Sequence, residues 1–152
     1  MALSAKLRNK SYRVYTLLGD GEIQEGQVWE ALMFASHRKL DNLCVIVDNN
    51  GLQLDGTIDE IIGPNPLDKK FESLDVMLSK QTDMILIHLK KLLTKQKPLR
   101  DSQQVIIAKT VKGKGVSFME NNVSWHGAAP NDEQYKQAME ELEKAGEALC
   151  QK

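Results

Sequence analysis

The chain has 152 residues, 41% of them hydrophobic, and a formal net charge of −1. This length suffices for one domain with a buried core, and the balanced charge argues against a general nucleic-acid-binding protein, which carries a basic excess. No apolar run approaches the ~20 residues that span a bilayer, and the polar segment Met1–Arg8 does not resemble a secretory signal. Cys44 and Cys150 are the only cysteines, and we expect them to be reduced thiols of a cytoplasmic protein.

The first half of the chain is predicted to form a strand, a helix and a second strand. Apart from Arg13, residues 12–18 are β-branched, aromatic or apolar, and the run stops at Gly19, which predicts a strand. Apolar residues at helical spacing predict a helix from Gln24 to Leu40. The continuous apolar run from Asn42 to Asp48 predicts a strand buried on both faces. Together they form a βαβ unit with a right-handed crossover.

The second half continues the alternation of helices and strands. Gly63–Pro66 is predicted to be a loop, and residues 67–74 a short helix. Residues 105–109 are predicted to form another buried strand, which a glycine-rich polar loop follows over residues 110–130. A last helix is predicted to run to about residue 148, with Asn131 or Asp132 as its cap.

This order of elements predicts an α/β fold with a mostly parallel sheet flanked by helices. Ligands of such sheets bind at the carboxyl ends of the strands. We therefore expect Gly19-Asp20-Gly21, Asp48-Asn49-Asn50 and the loop 110–130 to lie on one edge of the sheet.

Two of these turns carry candidate ligands for a cation. Asn50 follows Asp20 by thirty residues. Carboxylate and amide oxygens suit Mg²⁺ or Ca²⁺, and such an ion keeps coordination positions for phosphate oxygens. Either sequence by itself is usually only a turn, but the two at neighbouring strand ends indicate a site for a metal and a phosphate group.

Four segments of the chain resemble transketolases, in the same order. They are residues 18–31 (Leu-Gly-Asp-Gly-Glu-Ile-Gln-Glu-Gly-Gln-Val-Trp-Glu-Ala), 48–56 (Asp-Asn-Asn-Gly-Leu-Gln-Leu-Asp-Gly), 109–120 (Lys-Thr-Val-Lys-Gly-Lys-Gly-Val-Ser-Phe-Met-Glu) and 125–130 (Trp-His-Gly-Ala-Ala-Pro). The chain is similar to the N-terminal subunit of split bacterial transketolases over residues 1–74 and 105–152. The resemblance implies a thiamine-diphosphate-binding domain of a Mg²⁺- or Ca²⁺-dependent enzyme that transfers a two-carbon ketol unit between sugar phosphates.

The resemblance also implies the residues that hold the cofactors. The divalent cation would be bound by Asp20, Asn50 and the backbone carbonyl of Leu52. Gly21 would let the backbone approach the diphosphate closely, and Leu54 would pack on the thiazolium ring. The full set of implied cofactor-binding residues is Gly19, Asp20, Gly21, Asp48, Asn50, Leu52, Leu54 and His126.

Two residues have catalytic roles by the same resemblance. His126 would lie near the diphosphate and the substrate, although a lone histidine beside a tryptophan is often simply packed. Glu25 would lie at a subunit interface, close to the catalytic glutamate of the partner; from the residues alone it is equally a solvated carboxylate in the first turn of a helix. Lys109, Lys112 and Lys114 are interpreted as solvated charge, because their spacing is not that of a P-loop.

The resemblance is incomplete at the N-terminus. Transketolase N-terminal halves carry roughly one domain core of further sequence upstream, so we expect residues 1–152 to be a single, partial thiamine-diphosphate-binding domain of the diphosphate (PP) type that lacks its N-terminal portion. Catalysis would need the pyrimidine-binding domain of a C-terminal transketolase subunit, in a homo- or hetero-oligomer. The incomplete sheet would expose Leu3, Leu7, Val45 and Val47.

Residues 75–104 do not resemble the family. A family-like stretch, Gly-Cys-Asn-Val-Ile-Glu-Ala-Asp-Gly-His-Asp-Phe-Asp, read one base later with suitable codons, gives residues 75–86 of this chain. We therefore expect two compensating frameshifts, near Leu74 and Gln104; the alternative is ordinary divergence. The segment has helical character at residues 84–93 and lacks a clean buried strand.

Three functions follow from these observations. The first is the later part of a transketolase domain that anchors thiamine diphosphate and is inactive by itself. The second is a non-catalytic remnant that binds the cofactor weakly or not at all. The third is a related thiamine-diphosphate enzyme such as deoxyxylulose-phosphate synthase, which the sequence contexts of Glu25-Gly26 and Trp125-His126-Gly127 disfavour.

Overall fold

The structure is a computed structural model, and it describes residues 1–82, 84, 86–95 and 101–150. The elements in chain order are α1 (Ala2–Leu7), β1 (Val14–Gly19), α2 (Gly26–His37), β2 (Leu43–Asn49), β3 (Leu52–Gln53), β4 (Gly56–Thr57), α3 (Ile58–Ile62), α4 (Leu67–Glu72), β5 (Met77–Gln81), α5 (Leu86–Lys95), β6 (Gln104–Lys109) and α6 (Asp132–Cys150). Short 3₁₀ turns lie at Glu22–Gln24 and Val123–His126. Within the described ranges no helix is both long and apolar enough to cross a membrane.

Four strands form a parallel sheet in the order β1-β2-β6-β5. Gly19 lies opposite Asp48, and Asp48 lies opposite Ala108, so β1, β2 and β6 finish at the same edge of the sheet. The predicted α/β fold with a parallel sheet and flanking helices is confirmed. A parallel order brings three neighbouring carboxyl ends together, which is where a ligand site forms in such folds.

The helix predicted from Gln24 begins slightly later. Residues 22–24 form a 3₁₀ turn, Glu25 has extended backbone (φ −69°, ψ 127°), and α2 starts at Gly26. The end of α2 is closed by backbone bonds, since the amides of Arg38 and Lys39 donate to the carbonyls of Phe34 and Ser36. This arrangement leaves the Gly19–Gly21 turn free of helix and open at the sheet edge.

The main core lies between one face of the sheet and the helices α2 and α4. Its buried members are Ile23, Leu32, Val45, Val47, Leu67, Phe71 and Val105. Trp29 of α2 packs on Phe71 of α4, with ring centroids 5.4 Å apart. This packing fixes α2 against the sheet, and so fixes the turn that precedes the helix.

The predicted exposure of Val45 and Val47 is wrong. These side chains are 2% and 0% exposed, because β2 lies between β1 and β6 and carries them into the core. Leu7 is exposed as expected, whereas Leu3 is partly buried against a second small cluster. The exposed apolar surface of the sheet belongs instead to its edge strand β1, where Leu17 is 68% exposed.

The segment 75–104 contributes a strand to the sheet. β5 pairs in parallel with β6, with Met77 opposite Gln104, and the Met77 amide donates to the Gln103 carbonyl at 2.9 Å. β5 is only partly buried because it is the outermost strand, which agrees with the absence of a central-strand pattern. Residues 83, 85 and 96–100 lie outside the described part of the chain, and the frameshifts stay a prediction.

Candidate functional site

A cleft of about 430 Å³ opens at the carboxyl ends of β1 and β2. Small-molecule sites usually have volumes of ~300–1,000 Å³. The residues that line it are Gly19, Asp20, Gly21, Glu22, Asp48, Asn50, Leu52, Gln53, Leu54, Lys112 and His126. The structure thus brings all the predicted cofactor-binding residues together in one cleft.

Asp20 connects the end of β1 to the turn after β2. Its backbone amide donates to the Asp48 carbonyl at 3.1 Å, and its Oδ2 accepts the Gly51 N–H at 2.6 Å. The residue is 0% exposed, yet its Oδ1 has no hydrogen-bond partner in the described part of the chain. Asp20 thus has an unused acceptor in the cleft, and a buried carboxylate oxygen without a hydrogen-bond partner is energetically costly.

The surroundings of Asp20 raise the pKa of its carboxyl above the usual value. Burial is the main cause, because it disfavours the charged form, and the nearby Asp48 carboxylate acts in the same direction. The amide dipoles of Gly51 and Gly21 and the charge of Lys109 oppose this rise in pKa. A divalent cation beside the carboxylate would stabilise its charged form.

A hydrogen-bonded turn and a small hairpin order the residues that follow β2. The Leu52 amide donates to Asn50 Oδ1 at 2.9 Å, and Gly51 takes a positive φ of 82°. β3 and β4 then pair antiparallel, with Leu52 opposite Thr57. The amide of Ile58 closes the hairpin onto the Gly51 carbonyl at 3.0 Å. Leu52 is therefore held beside Asn50, as a shared cation site requires.

Gly21 is required by close packing rather than by its backbone angles. Its φ of −69° is open to any residue, but a Cβ there would lie 2.7 Å from Gln53 Cβ and 3.1 Å from Gln53 Oε1. On its other side, the Gly19 amide donates to Glu22 Oε2 at 3.0 Å. The sequence did not single out Glu22 or Gln53, since their contacts arise only when the hairpin folds against the first turn.

His126 lies at the rim of the cleft, at the end of a 3₁₀ turn. The packed residue of that turn is Trp125, whose Nε1 donates to the Phe118 carbonyl at 3.0 Å and whose ring lies 5.3 Å from the Phe118 ring. His126 itself is exposed. Trp125 is therefore the packed residue of this turn, and the side chain of His126 is accessible to a ligand.

Glu25 is separate from the cleft. It is exposed at the start of α2 and is not among the cleft-lining residues. Its predicted place at an interface with a partner stays a prediction.

The loop 110–130 places one lysine in the cleft. Lys114 pairs with Glu120 at 3.2 Å, whereas Lys112 lines the cleft. The turn between them needs glycine at position 113, where φ is 72° and a Cβ would lie 2.5 Å from the Met119 carbonyl oxygen. Lys112 therefore lies at the cleft, a position that only the folded loop reveals.

The donor set fits a cation and a diphosphate. Within the described residues no group of three or more His, Cys, Asp and Glu side chains could hold a metal. The predicted set is of another kind, with one carboxylate, one amide oxygen and one backbone carbonyl. The unpartnered Oδ1 of Asp20 suits a hard cation, and Gly21 lines the cleft without a side chain that would keep an anion from its backbone.

Comparisons with known proteins identify the family. The family model described as "Transketolase, thiamine diphosphate binding domain" matches residues 7–147, which include the parallel sheet and the cleft at its edge. The chain belongs to the transketolase family, as a thiamine-diphosphate-binding domain.

The relatives include split and full-length transketolases. The chain is 36% identical over 154 residues to an apulose-4-phosphate transketolase subunit of Phocaeicola vulgatus, an alignment that covers 98% of this chain and 53% of that protein. It is 37% identical over 151 residues to transketolase of Homo sapiens, of which it covers 22%. The crystal structure of transketolase from Campylobacter jejuni matches 93% of this chain and 23% of its own, with a TM-score of 0.85 and 29% identity. The chain thus spans about half the length of the split-enzyme relative and about a fifth of a full-length enzyme.

Proposed function

We propose that this chain anchors thiamine diphosphate and a divalent cation for a ketol transfer between sugar phosphates. The observation that carries the proposal is the buried, unpartnered Oδ1 of Asp20, which lies in one cleft with Asn50, Lys112 and His126. A fully buried acceptor without a partner is expensive to maintain, and a bound cation is the partner that best offsets the cost.

Mg²⁺ or Ca²⁺ would be held by Asp20, Asn50 and the backbone carbonyl of Leu52. These oxygen donors match the preference of hard cations, and three protein ligands leave positions for phosphate oxygens. The hydrogen bond from the Gly51 amide to Asp20 supports this assignment, because it holds the two ligand-bearing turns against each other.

The diphosphate would lie against the Gly19–Gly21 turn. Gly21 lines the cleft without a side chain that would keep an anion from its backbone, and Lys112 and His126, which line the same cleft, would supply donors. Leu54, 63% exposed at the cleft, offers an apolar surface to a heterocyclic ring, with Asp48 nearby. Thiamine diphosphate would supply the electron-accepting ring that the cleavage of a ketose needs.

Turnover would require a second polypeptide or domain. Two relatives named as transketolase subunits are each 36% identical to this chain, and their names imply partner polypeptides. We therefore propose that a C-terminal transketolase subunit supplies the pyrimidine-binding domain in a homo- or hetero-oligomer. In it His126 would contact the substrate and Glu25 the interface. The free cysteines Cys44 and Cys150 fit a cytoplasmic location.

A second candidate is a non-catalytic remnant of the family. The exposed edge strand β1, with Leu17 68% and Tyr15 49% exposed, favours it, because parallel sheets are normally covered on both faces. Such a chain would keep the cleft but bind the cofactor weakly or not at all.

Calorimetric titration with thiamine diphosphate and Mg²⁺ distinguishes the two. Under the first proposal the chain gives a saturable heat that Asp20→Ala abolishes, whereas Asp55→Ala, at an exposed position outside the cleft, leaves it unchanged. The absence of binding at millimolar cofactor would favour the remnant. Ketol transfer should appear only after a C-terminal transketolase subunit is added, and transfer by the isolated chain would contradict the need for a partner.

A further inference from the structure

The residue directly after β6 contacts the last two residues of β2. The Thr110 hydroxyl donates to Asp48 Oδ1, and the Thr110 backbone amide donates to the Asn49 carbonyl at 3.2 Å. The family resemblance assigned no role to Thr110, and it does not line the cleft. Its contacts nevertheless reach two consecutive residues of the segment that carries Asn50.

The end of β2 and the turn after it are held from the other side by Asp20, which directly follows β1. The Asp48 carbonyl accepts the Asp20 amide at 3.1 Å, and the Gly51 amide donates to Asp20 Oδ2 at 2.6 Å. The segment 48–51 is therefore tied to both neighbouring strands, because β2 lies between β1 and β6 in the sheet. Only the contact to the Asp48 side chain uses a hydroxyl, so it depends on the residue type at position 110.

We propose that Thr110 is a positioning residue that fixes Asp48 and the turn behind it, and so presents Asn50 and the Leu52 carbonyl to the cation. Its effect on cofactor binding rests on the proposed function, whereas the ordering of the turn does not. A hydroxyl that donates to a carboxylate forms a charge-assisted bond, which is stronger than a neutral one. Loss of the hydroxyl frees the Asp48 side chain and loosens the turn.

Amide hydrogen exchange at Gly51 measures this ordering without any cofactor, because its N–H spans the two turns. Thr110→Val, which keeps the shape and removes the hydroxyl, is expected to lower the Gly51 protection factor about tenfold or more. Thr110→Ser should keep it near the wild-type value. Thr82→Val, at an exposed threonine directly after β5, is the matched control and should leave Gly51 unchanged.

The affinity for thiamine diphosphate with Mg²⁺ should follow the same order, with Thr110→Val weakened about tenfold and Thr110→Ser close to the wild type. If the wild type binds no cofactor, the proposed function fails while the exchange data still decide the role of Thr110. Unchanged protection in Thr110→Val, or equal loss in Thr110→Ser, would overturn it. If Thr110→Val does not fold, the exchange rate of the Thr110 hydroxyl proton in the wild type tests the contact instead. We expect this proton to exchange slowly and to lie close to Asp48. Rapid exchange with solvent would refute the contact.

Discussion

Replacement of Asp20 by asparagine should stabilise the chain in the absence of cofactor. Asp20 is fully buried, and its Oδ1 has no hydrogen-bond partner among the described residues. Asparagine keeps an oxygen to accept the Gly51 N–H and removes the buried charge. The amide Nδ2 replaces the unpartnered Oδ1, so the gain comes from removal of the buried charge, whose desolvation costs more than that of a neutral group. D20N should therefore be more stable by about 1–3 kcal/mol at pH 8.

The gain in stability should depend on pH. Burial raises the pKa of the Asp20 carboxyl in the folded chain, so the folded state holds this proton more tightly than the unfolded state does. The stability linked to this group is therefore fully present below the unfolded pKa of about 4 and is lost as the pH rises through the raised folded value. The difference between D20N and the wild type should vanish near pH 4 and grow toward pH 8.

Urea unfolding at several pH values measures this difference. With an m-value of about 1–3 kcal/mol/M, the midpoint at pH 8 should rise by roughly 1 M in D20N. Asp55→Asn, at an exposed position, should stay within about 0.5 kcal/mol of the wild type. A D20N variant less stable than the wild type at pH 8, or a difference that does not change with pH, would refute the unpaired-carboxylate argument.

Binding of the cofactor should make the wild type more stable to urea than D20N. A ligand at a hundredfold excess over its Kd stabilises the folded state by about 2.7 kcal/mol. Thiamine diphosphate with Mg²⁺ should therefore raise the urea midpoint of the wild type but not that of D20N, which lacks the anionic ligand. Equal stabilisation of both chains would place the cation elsewhere.

Three further outcomes are expected. Gly21→Ala forces a Cβ to 2.7 Å from Gln53 Cβ and should destabilise the chain by about 1–3 kcal/mol. Gly146→Ala in α6, where a Cβ meets nothing within 4 Å, should stabilise the chain by up to about 1 kcal/mol. Equal effects of the two substitutions in thermal unfolding would contradict the contact between Gly21 and Gln53. Phe71→Ala removes a side chain that is 0% exposed and should cost about 3–5 kcal/mol, so a loss below about 1 kcal/mol in urea unfolding would contradict the described core. Sequencing of the gene should show a second reading frame over residues 75–104 that encodes a family-like strand and helix, and its absence would favour ordinary divergence.

The order of strands and helices and the edge that carries the site could be read from local patterns. The run from Leu43 to Val47 has the composition of a doubly buried strand, and the structure places β2 inside the sheet. Gly19-Asp20-Gly21 and Asp48-Asn49-Asn50 end their strands at the same level. Such features depend on residue periodicity and turn chemistry, which are local properties of the chain.

The error over Val45 and Val47 has a different origin. Their exposure depends on which strands flank β2, and strand order is a property of the folded sheet. β5 pairs at the far edge with β6, while β1 keeps an exposed side chain at Leu17. The burial pattern along one strand does not reveal which strands lie beside it. The sequence therefore could not show which strand forms the exposed edge of the sheet.

The sequence by itself determined the parallel α/β fold and the turns that meet at one edge of the sheet, because each is encoded by a short run of residues with its own periodicity or turn. Its resemblance to transketolases indicated the family and the residues expected to hold the cofactors. Only the tertiary structure decided which contacts these segments make with one another. The unpaired oxygen of Asp20, the packing of Gln53 on Gly21, Lys112 in the cleft and the contact of Thr110 with Asp48 across 62 residues all depend on strand order and register. Contacts between distant segments form only when the sheet sets their spacing, and no local pattern specifies that spacing.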